Sequence, residues 1–400
     1  MLLKGEKIVF EEEKVGLSTY TDEQINEKYL LGEVRIVTEQ ARYPLSTISD
    51  MFSGPDYNMN PDFQRRHRWD LDKKSRLIES LVMNVPIPPI FLYENELSHY
   101  EVMDGLQRLS TICDFYANKF ELQNLVLWNE LNGRTYSQLP EKVQKGLDRR
   151  YISSIILLKE SAKDETEAKK MKQLVFERIN SGGVKLEPQE TRNALFDGPM
   201  NDLCIDLSRN EYLCKYLSLP LGDPTNEEVL AELEKYETYN KMEDVQYVLR
   251  FFAMRQLDGY AKRALNVFLD CYLEQANKFS SVTIDELRNI FEDTIRLAHE
   301  LFAEKAFCMF KSLEKDDGIE WKWTKKTAVV IYDPLMQVLS EMLPYKEALL
   351  DYGKSHDLIG EMEHLYQENE EEFGGRNNGK SDIESRINIY RTFFKRIVNK

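Results

Sequence analysis

Histidine and cysteine are scarce in this chain of 400 residues, five of each. His67, His99, His299, His356 and His364 include no pair at the helical spacing of a zinc motif, and Cys113, Cys204, Cys214, Cys271 and Cys308 include no CxxC. The lack of both argues against a zinc enzyme and against a disulfide-built scaffold. The scattered, odd-numbered thiols read as reduced, most of them buried. Long apolar runs are missing too: none approaches the roughly 18 residues of a membrane span. The opening MLLKGEKIVFEEEK turns acidic too soon for a signal peptide, so a cytoplasmic protein without a membrane partner is expected. Internal repeats and low-complexity tracts are also lacking.

What is present can build a core: 42% of residues are hydrophobic and 11% aromatic. The net charge of −16 is uneven. Residues 1–200 hold 27 basic and 32 acidic side chains, −5, and residues 201–400 hold 26 and 37, −11. So acidic a chain does not offer a long DNA-wrapping surface. One short stretch departs from it: Pro61 to Arg76 carries six basic against three acidic residues, a local +3.

Up to residue 198 short apolar runs alternate with amphipathic periods. Strands are expected at Glu33–Ala41, Ile90–Tyr93, Tyr100–Met103, Leu122–Leu127 and Ile152–Leu158. Helices are expected at Asp70–Met83, Leu106–Asn118, Pro140–Arg149 and Asp164–Ile179. From residue 199 the pattern becomes helical, with Met242–Leu257, Lys262–Phe279 and Thr283–Ala303 the clearest periods. Trp321 and Trp323 fall in a loop or a short strand, and Glu361–Gly379 reads as a loop or frayed helix end. The expected class is α+β, with an α/β domain over 1–198 and an all-helical domain over 199–400.

Three segments carry candidate chemistry. In Asn60–Leu92, Asp70 or Asp72 caps a helix, Pro86, Pro88 and Pro89 stiffen the link to the next strand, and Gln64, Arg65, Arg66, Arg68 and Trp69 crowd one short loop. Guanidinium forks suit phosphate oxygens and an indole stacks on a base; a solvated basic loop with Trp69 in the core is the plainer reading. In His99–Phe120 a strand runs into Asp104-Gly105 and a helix opens at Leu106. Leu106, Leu109, Cys113, Tyr116 and Phe120 share its apolar face, so Gln107 and Arg108 are expected to point away from it. A helix start welcomes a phosphate, and there Arg108 suits the anion while Asp104 suits a metal-bound or attacking water. The competing reading is a capping box of Asp104 with Gln107, Gly105 serving only the turn. In Val175–Gly198, Arg178, Asn180 and Gly183 stand at a helix end followed by a second helix starting near Pro188.

The order FQR…W…LIESL…PIPPIFL, then EVMDGLQRLST, then FERINSGG.KL.PQE.RNAL resembles the N-terminal domain of GmrSD-type restriction endonucleases, a ParB- and sulfiredoxin-like domain marked by a DGQQR motif. The resemblance runs from about Tyr43 to Phe279. It implies a part in defence against foreign DNA, with nucleotide binding and hydrolysis that regulate a nuclease. Carried over by position, Asp104, Gly105, Gln107 and Arg108 match the motif, Gln64 and Arg65 the upstream FQR, and Asn180 and Gly183 the later INxxG. Leu106 departs from it, standing where the family usually has Gln. The His-Me nuclease that fused members often carry needs a His base, and no histidine here is set in that pattern, which leaves cleavage to a separate nuclease subunit. The reading is therefore a nucleoside-triphosphate-binding and hydrolysing regulator, with Asp104, Gln107 and Arg108 catalytic and Gln64, Arg65, Arg68, Gly105, Arg178, Asn180 and Gly183 on phosphate of nucleotide or DNA. Mg²⁺ with the nucleotide is the implied cofactor and DNA a further partner. The alternative is a non-catalytic DNA-binding or adaptor subunit, and metal-dependent nicking by the α/β domain itself ranks last.

Overall fold

The computed structural model describes residues 2–10, 20–31, 36–52, 54–58, 69–158, 165–180, 187–260, 264–315, 318–374 and 379–399. They divide into two units, one of Glu13–Leu195 and one of Met1–Glu12 with Phe196–Lys400. The chain is α+β, a small mixed sheet in the first unit and mostly helix in the second.

The first unit contains helix α1 (Asp22–Leu31), strand β1 (Thr38–Pro44), α2 (Leu45–Phe52), β2 (Tyr57–Asn58), α3 (Leu71–Val82), β3 (Ile90–Glu96), β4 (His99–Asp104), α4 (Leu106–Tyr116), α5 (Glu141–Asp148), β5 (Tyr151–Leu157), α6 (Glu165–Asn180) and α7 (Pro188–Leu195). Strand order is β1-β5-β3-β4-β2, with β3–β5 and β2–β4 parallel and the other two pairs antiparallel. Alternation along the strands feeds two cores. Val102 joins Leu77, Ile78, Leu81, Leu109, Ile112 and Phe115 on the α3/α4 side, while its neighbour Met103 joins Tyr93, Leu157 and Phe176 on the α6 side. The middle strands are thus covered on both faces, as their near-continuous apolar runs require.

Asp70 caps α3, its Oδ1 accepting from the Lys73 amide at 2.8 Å. Leu122–Leu127, expected as a strand, is instead part of a closed loop. Leu122 and Arg134 join at its base, the Gly133 N–H also meets the Leu122 carbonyl at 2.7 Å, and Asn124 takes φ +52°, which breaks an extended run. Inside the loop the buried carboxylate of Glu79 accepts from the Leu127 and Trp128 amides at 2.8 and 2.9 Å. A strand needs a neighbour to take its amides; here a side chain takes them.

The second unit comprises α8 (Pro199–Leu207), α9 (Glu211–Tyr216), α10 (Glu227–Leu233), α11 (Glu237–Asn240), α12 (Glu243–Met254), α13 (Leu265–Ala276), α14 (Ser281–Phe302), the hairpin β6 (Phe310–Lys315) and β7 (Gly318–Trp323), then α15 (Val329–Met342), α16 (Lys346–Ser355), α17 (Leu358–Glu368), α18 (Glu370–Phe373) and α19 (Lys380–Val398). The hairpin corrects the expected all-helical domain, and α17 with α18 replaces the loop expected from Glu361 on. Tyr366 and Phe373 explain the latter: both are buried, so tertiary packing holds an acidic segment helical. The first ten residues go with this unit. Arg255 forks onto the buried Glu6 at 2.6 and 2.9 Å, and Gln256 bonds the backbone of Glu6 and Ile8. All five cysteines are free thiols.

Candidate functional site

The DGLQR segment forms the turn from β4 into α4. Gly105 is the residue before the helix, at φ +101°, a conformation that favours glycine. A Cβ there would lie 2.5 Å from Ile90 Cγ2, so β3 also demands the bare backbone. Because Gly105 has no side chain, the first turn of α4 lacks a capping side chain. Asp104 does not cap it; the capping box with Gln107 does not form.

Asp104 is occupied otherwise. Its Oδ2 accepts from Arg108 Nη2 at 2.6 Å, and Arg108 Nη1 donates to the Pro88 carbonyl, also at 2.6 Å. Arg108 is buried, 9% exposed, and so points inward, contrary to the expectation from the helical wheel. The physical reason is tertiary: the proline-stiffened link before β3 leaves the Pro88 carbonyl turned toward α4, and the end of β4 supplies a carboxylate beside it. A cation in a first helical turn opposes the macrodipole, and here a carboxylate and a carbonyl compensate it. The Asp104 side chain keeps 37% of its surface exposed, and its Oδ1 takes no hydrogen bond from a described residue.

Gln107 ties in the first segment. Its Oε1 accepts from the Trp69 amide at 3.1 Å, which fixes the residue after the Gln64–Arg68 stretch beside the start of α4. That leaves its Nε2 as a donor. Trp69 packs against the α3/α4 core, and Leu106 does the same. The Gln expected by the motif at 106 is thus replaced by a residue in an apolar contact.

The third segment begins on α6, which is tied to β4. Lys172 of α6 bonds Glu101 of β4 at 2.7 Å, and Phe176 shares a core with Met103. Helix and strand therefore run in the same direction. Asn180 is the last residue of α6, and exposed Arg178 lies just before it. Ala194 and Leu195 of α7 pack in that core beside Phe91, the β3 partner of Asp104. Gln64, Arg65, Arg68 and Gly183 lie outside the described residues.

Residue reasoning missed two participants, the Pro88 carbonyl and the Trp69 amide, since backbone groups carry no sequence signal. It also missed the burial of Gln189, Glu190, Arg192 and Asn193 on α7, each at most 5% exposed. Four polar residues within a short helix beside a glycine-rich turn was the available sign. Glu190 accepts from the Glu187 amide at 2.8 Å, and Gln189 links Asn193 and Arg192 at 2.9 and 3.2 Å. Among the described residues no group of three His, Cys, Asp or Glu could hold a metal.

No curated protein and no solved structure matches the chain. Residues 48–196, which run from within α2 to just past α7 and hold the first two segments with nearly all of the third, match the family model described as the GmrSD restriction endonuclease, N-terminal domain.

Proposed function

We propose that the domain at 48–196 binds and hydrolyses a nucleoside triphosphate as the regulatory part of a DNA restriction or anti-phage defence system, with a separate subunit cutting DNA. The coarser half rests on the restriction-endonuclease domain match. The finer half rests on one observation: a half-exposed carboxylate with one oxygen unengaged, held by a buried arginine at the uncapped start of a helix.

In this reading the α4 amides and the Gln107 Nε2 donate to phosphate oxygens, since a helix start provides N–H groups and partial positive charge. Arg108 is a positioning residue, with two of its nitrogens already spent on Asp104 and Pro88. Asp104 Oδ1 orients a water or a cation. One carboxylate suits Mg²⁺, which keeps water and is carried mainly by substrate phosphates, and does not suit a metal caged by protein alone. Mg²⁺ would supply neutralisation of phosphate charge. Gln64, Arg65, Asn180 and Gly183 belong to it by motif, and Arg68 and Arg178 by standing beside those residues in the sequence.

Calorimetric titration of the full chain with nucleoside triphosphates and Mg²⁺, beside phosphate release, tests the proposal. Wild type is expected to bind and turn over, Asp104→Asn to bind with turnover reduced at least tenfold, and Arg108→Ala to lose both. Absence of binding by wild type, or equal turnover in all three, overturns it. DNA binding that persists with no nucleotide effect would favour the adaptor reading instead.

A further inference from the structure

Beyond the nucleotide site, the β6–β7 hairpin carries a second surface. Its inner face is fixed by aromatics: Phe310 lies 5.5 Å from Trp321 and 5.2 Å from Trp323, and Trp323 donates its Nε1–H to Glu363 at 2.6 Å. Alternation then turns Lys311 and Lys322 to the other face, where the register sets them directly opposite each other. Both are exposed. Like charges opposed in an antiparallel pair are unfavourable, and neither lysine pairs with a described acidic residue.

Two more exposed lysines follow the hairpin. The Met309 and Thr324 pair closes the hairpin base, with bonds of 2.8 and 2.9 Å, and exposed Lys325 and Lys326 leave from that fixed point. Lys325 forms no ion pair among the described residues. Lys326 likewise forms no ion pair among the described residues, and the nearby Glu237 carboxylate is engaged by Lys241. Lysines do guard hairpin edges against stray pairing. That role explains a lysine on either strand, but neither the direct opposition nor the two lysines beyond the strand.

We infer that Lys311, Lys322, Lys325 and Lys326 together dock the phosphate backbone of duplex DNA. Lys311 and Lys322 sit one strand spacing apart, about 5 Å between backbones, and Lys325 and Lys326 follow Lys322 within at most about 13 Å of chain. Lysine is a compact, mobile point charge, suited to a line of phosphates rather than to one bidentate anion. Residues 310–326 hold five basic and four acidic side chains, +1, against −11 for residues 201–400 as a whole, and the acidic Glu320 shares the face of Lys322.

Fluorescence anisotropy of the full chain with a labelled random duplex, over about 50 to 200 mM salt, tests it. Each lysine that neutralises a phosphate contributes about 0.9 to the log–log salt slope. The variant Lys311→Gln/Lys322→Gln/Lys325→Gln/Lys326→Gln is expected to flatten the slope by about 2 to 4 and to weaken binding at low salt at least tenfold, with its thermal midpoint unchanged. Should that variant melt early, Lys322→Gln/Lys325→Gln carries the same test at half the slope change. No duplex binding by wild type, or equal slopes in wild type and variant, overturns the inference. So does polyglutamate binding that duplex fails to displace, which would make this an acidic-protein surface. Nucleotide titration of the lysine variant separates the two proposals, because it is expected to bind nucleotide as wild type does.

Discussion

At the scale of single residues, the β4–α4 turn tolerates little. Gly105→Ala adds a Cβ 2.5 Å from Ile90 at positive φ, and a loss of about 1–3 kcal/mol in denaturant titration is expected. Gln107→Ala removes the acceptor of the Trp69 amide; it is expected to cost about 1–2 kcal/mol and to make Trp69 fluorescence more solvent-like. The turn glycine was legible from its place between strand and helix. The inward aim of Arg108 was not, because a helical wheel knows only the helix's own periodicity. What turned Arg108 inward is the Pro88 carbonyl, 20 residues upstream.

At the scale of elements, strongly periodic segments were read correctly to within a few residues: α3, α4, α5 and α6 all form where apolar spacing placed them. The misread Leu122–Leu127 has strand-like composition, and its fate was decided by Glu79 on α3. Glu79→Gln is expected to cost about 1.5–3 kcal/mol and to raise amide exchange selectively at Leu127 and Trp128. The end of α5 gives a pH test. Asp148 accepts from Tyr116 and Tyr136 at 3.1 and 2.8 Å. Burial first, then the Asp148 hydrogen bond, pushes the Tyr136 hydroxyl up to about 12, and Tyr116 moves the same way through burial and Asp148. The folded state thus holds these protons more tightly than the unfolded chain, where tyrosine titrates near 10. Their contribution is complete below about pH 10 and is lost as pH climbs through about 12. Urea midpoints across that range are expected to fall, and Asp148→Asn to lessen the fall without abolishing it, since burial is the larger cause.

At the scale of the whole molecule, the helical unit is pinned by a buried ion pair. Arg250 Nε meets Asp333 Oδ1 at 3.1 Å and its Nη2 meets Oδ2, both side chains at most 7% exposed. Removing one partner strands a charge: Asp333→Ala is expected to cost about 3–5 kcal/mol, while Arg250→Met/Asp333→Leu recovers most of it, as calorimetry would show. The α+β class, the helix-rich second half, the thiol state and the three motif segments were determined by sequence, because composition, periodicity and turn chemistry act over a few neighbouring residues. Only tertiary structure decided that residues 2–10 join the helical unit, that Arg108 is sheathed between Asp104 and Pro88, and that Lys172 of α6 bonds Glu101 of β4. Each depends on groups from 20 to 250 residues apart, and no local pattern encodes which distant atom a side chain will meet.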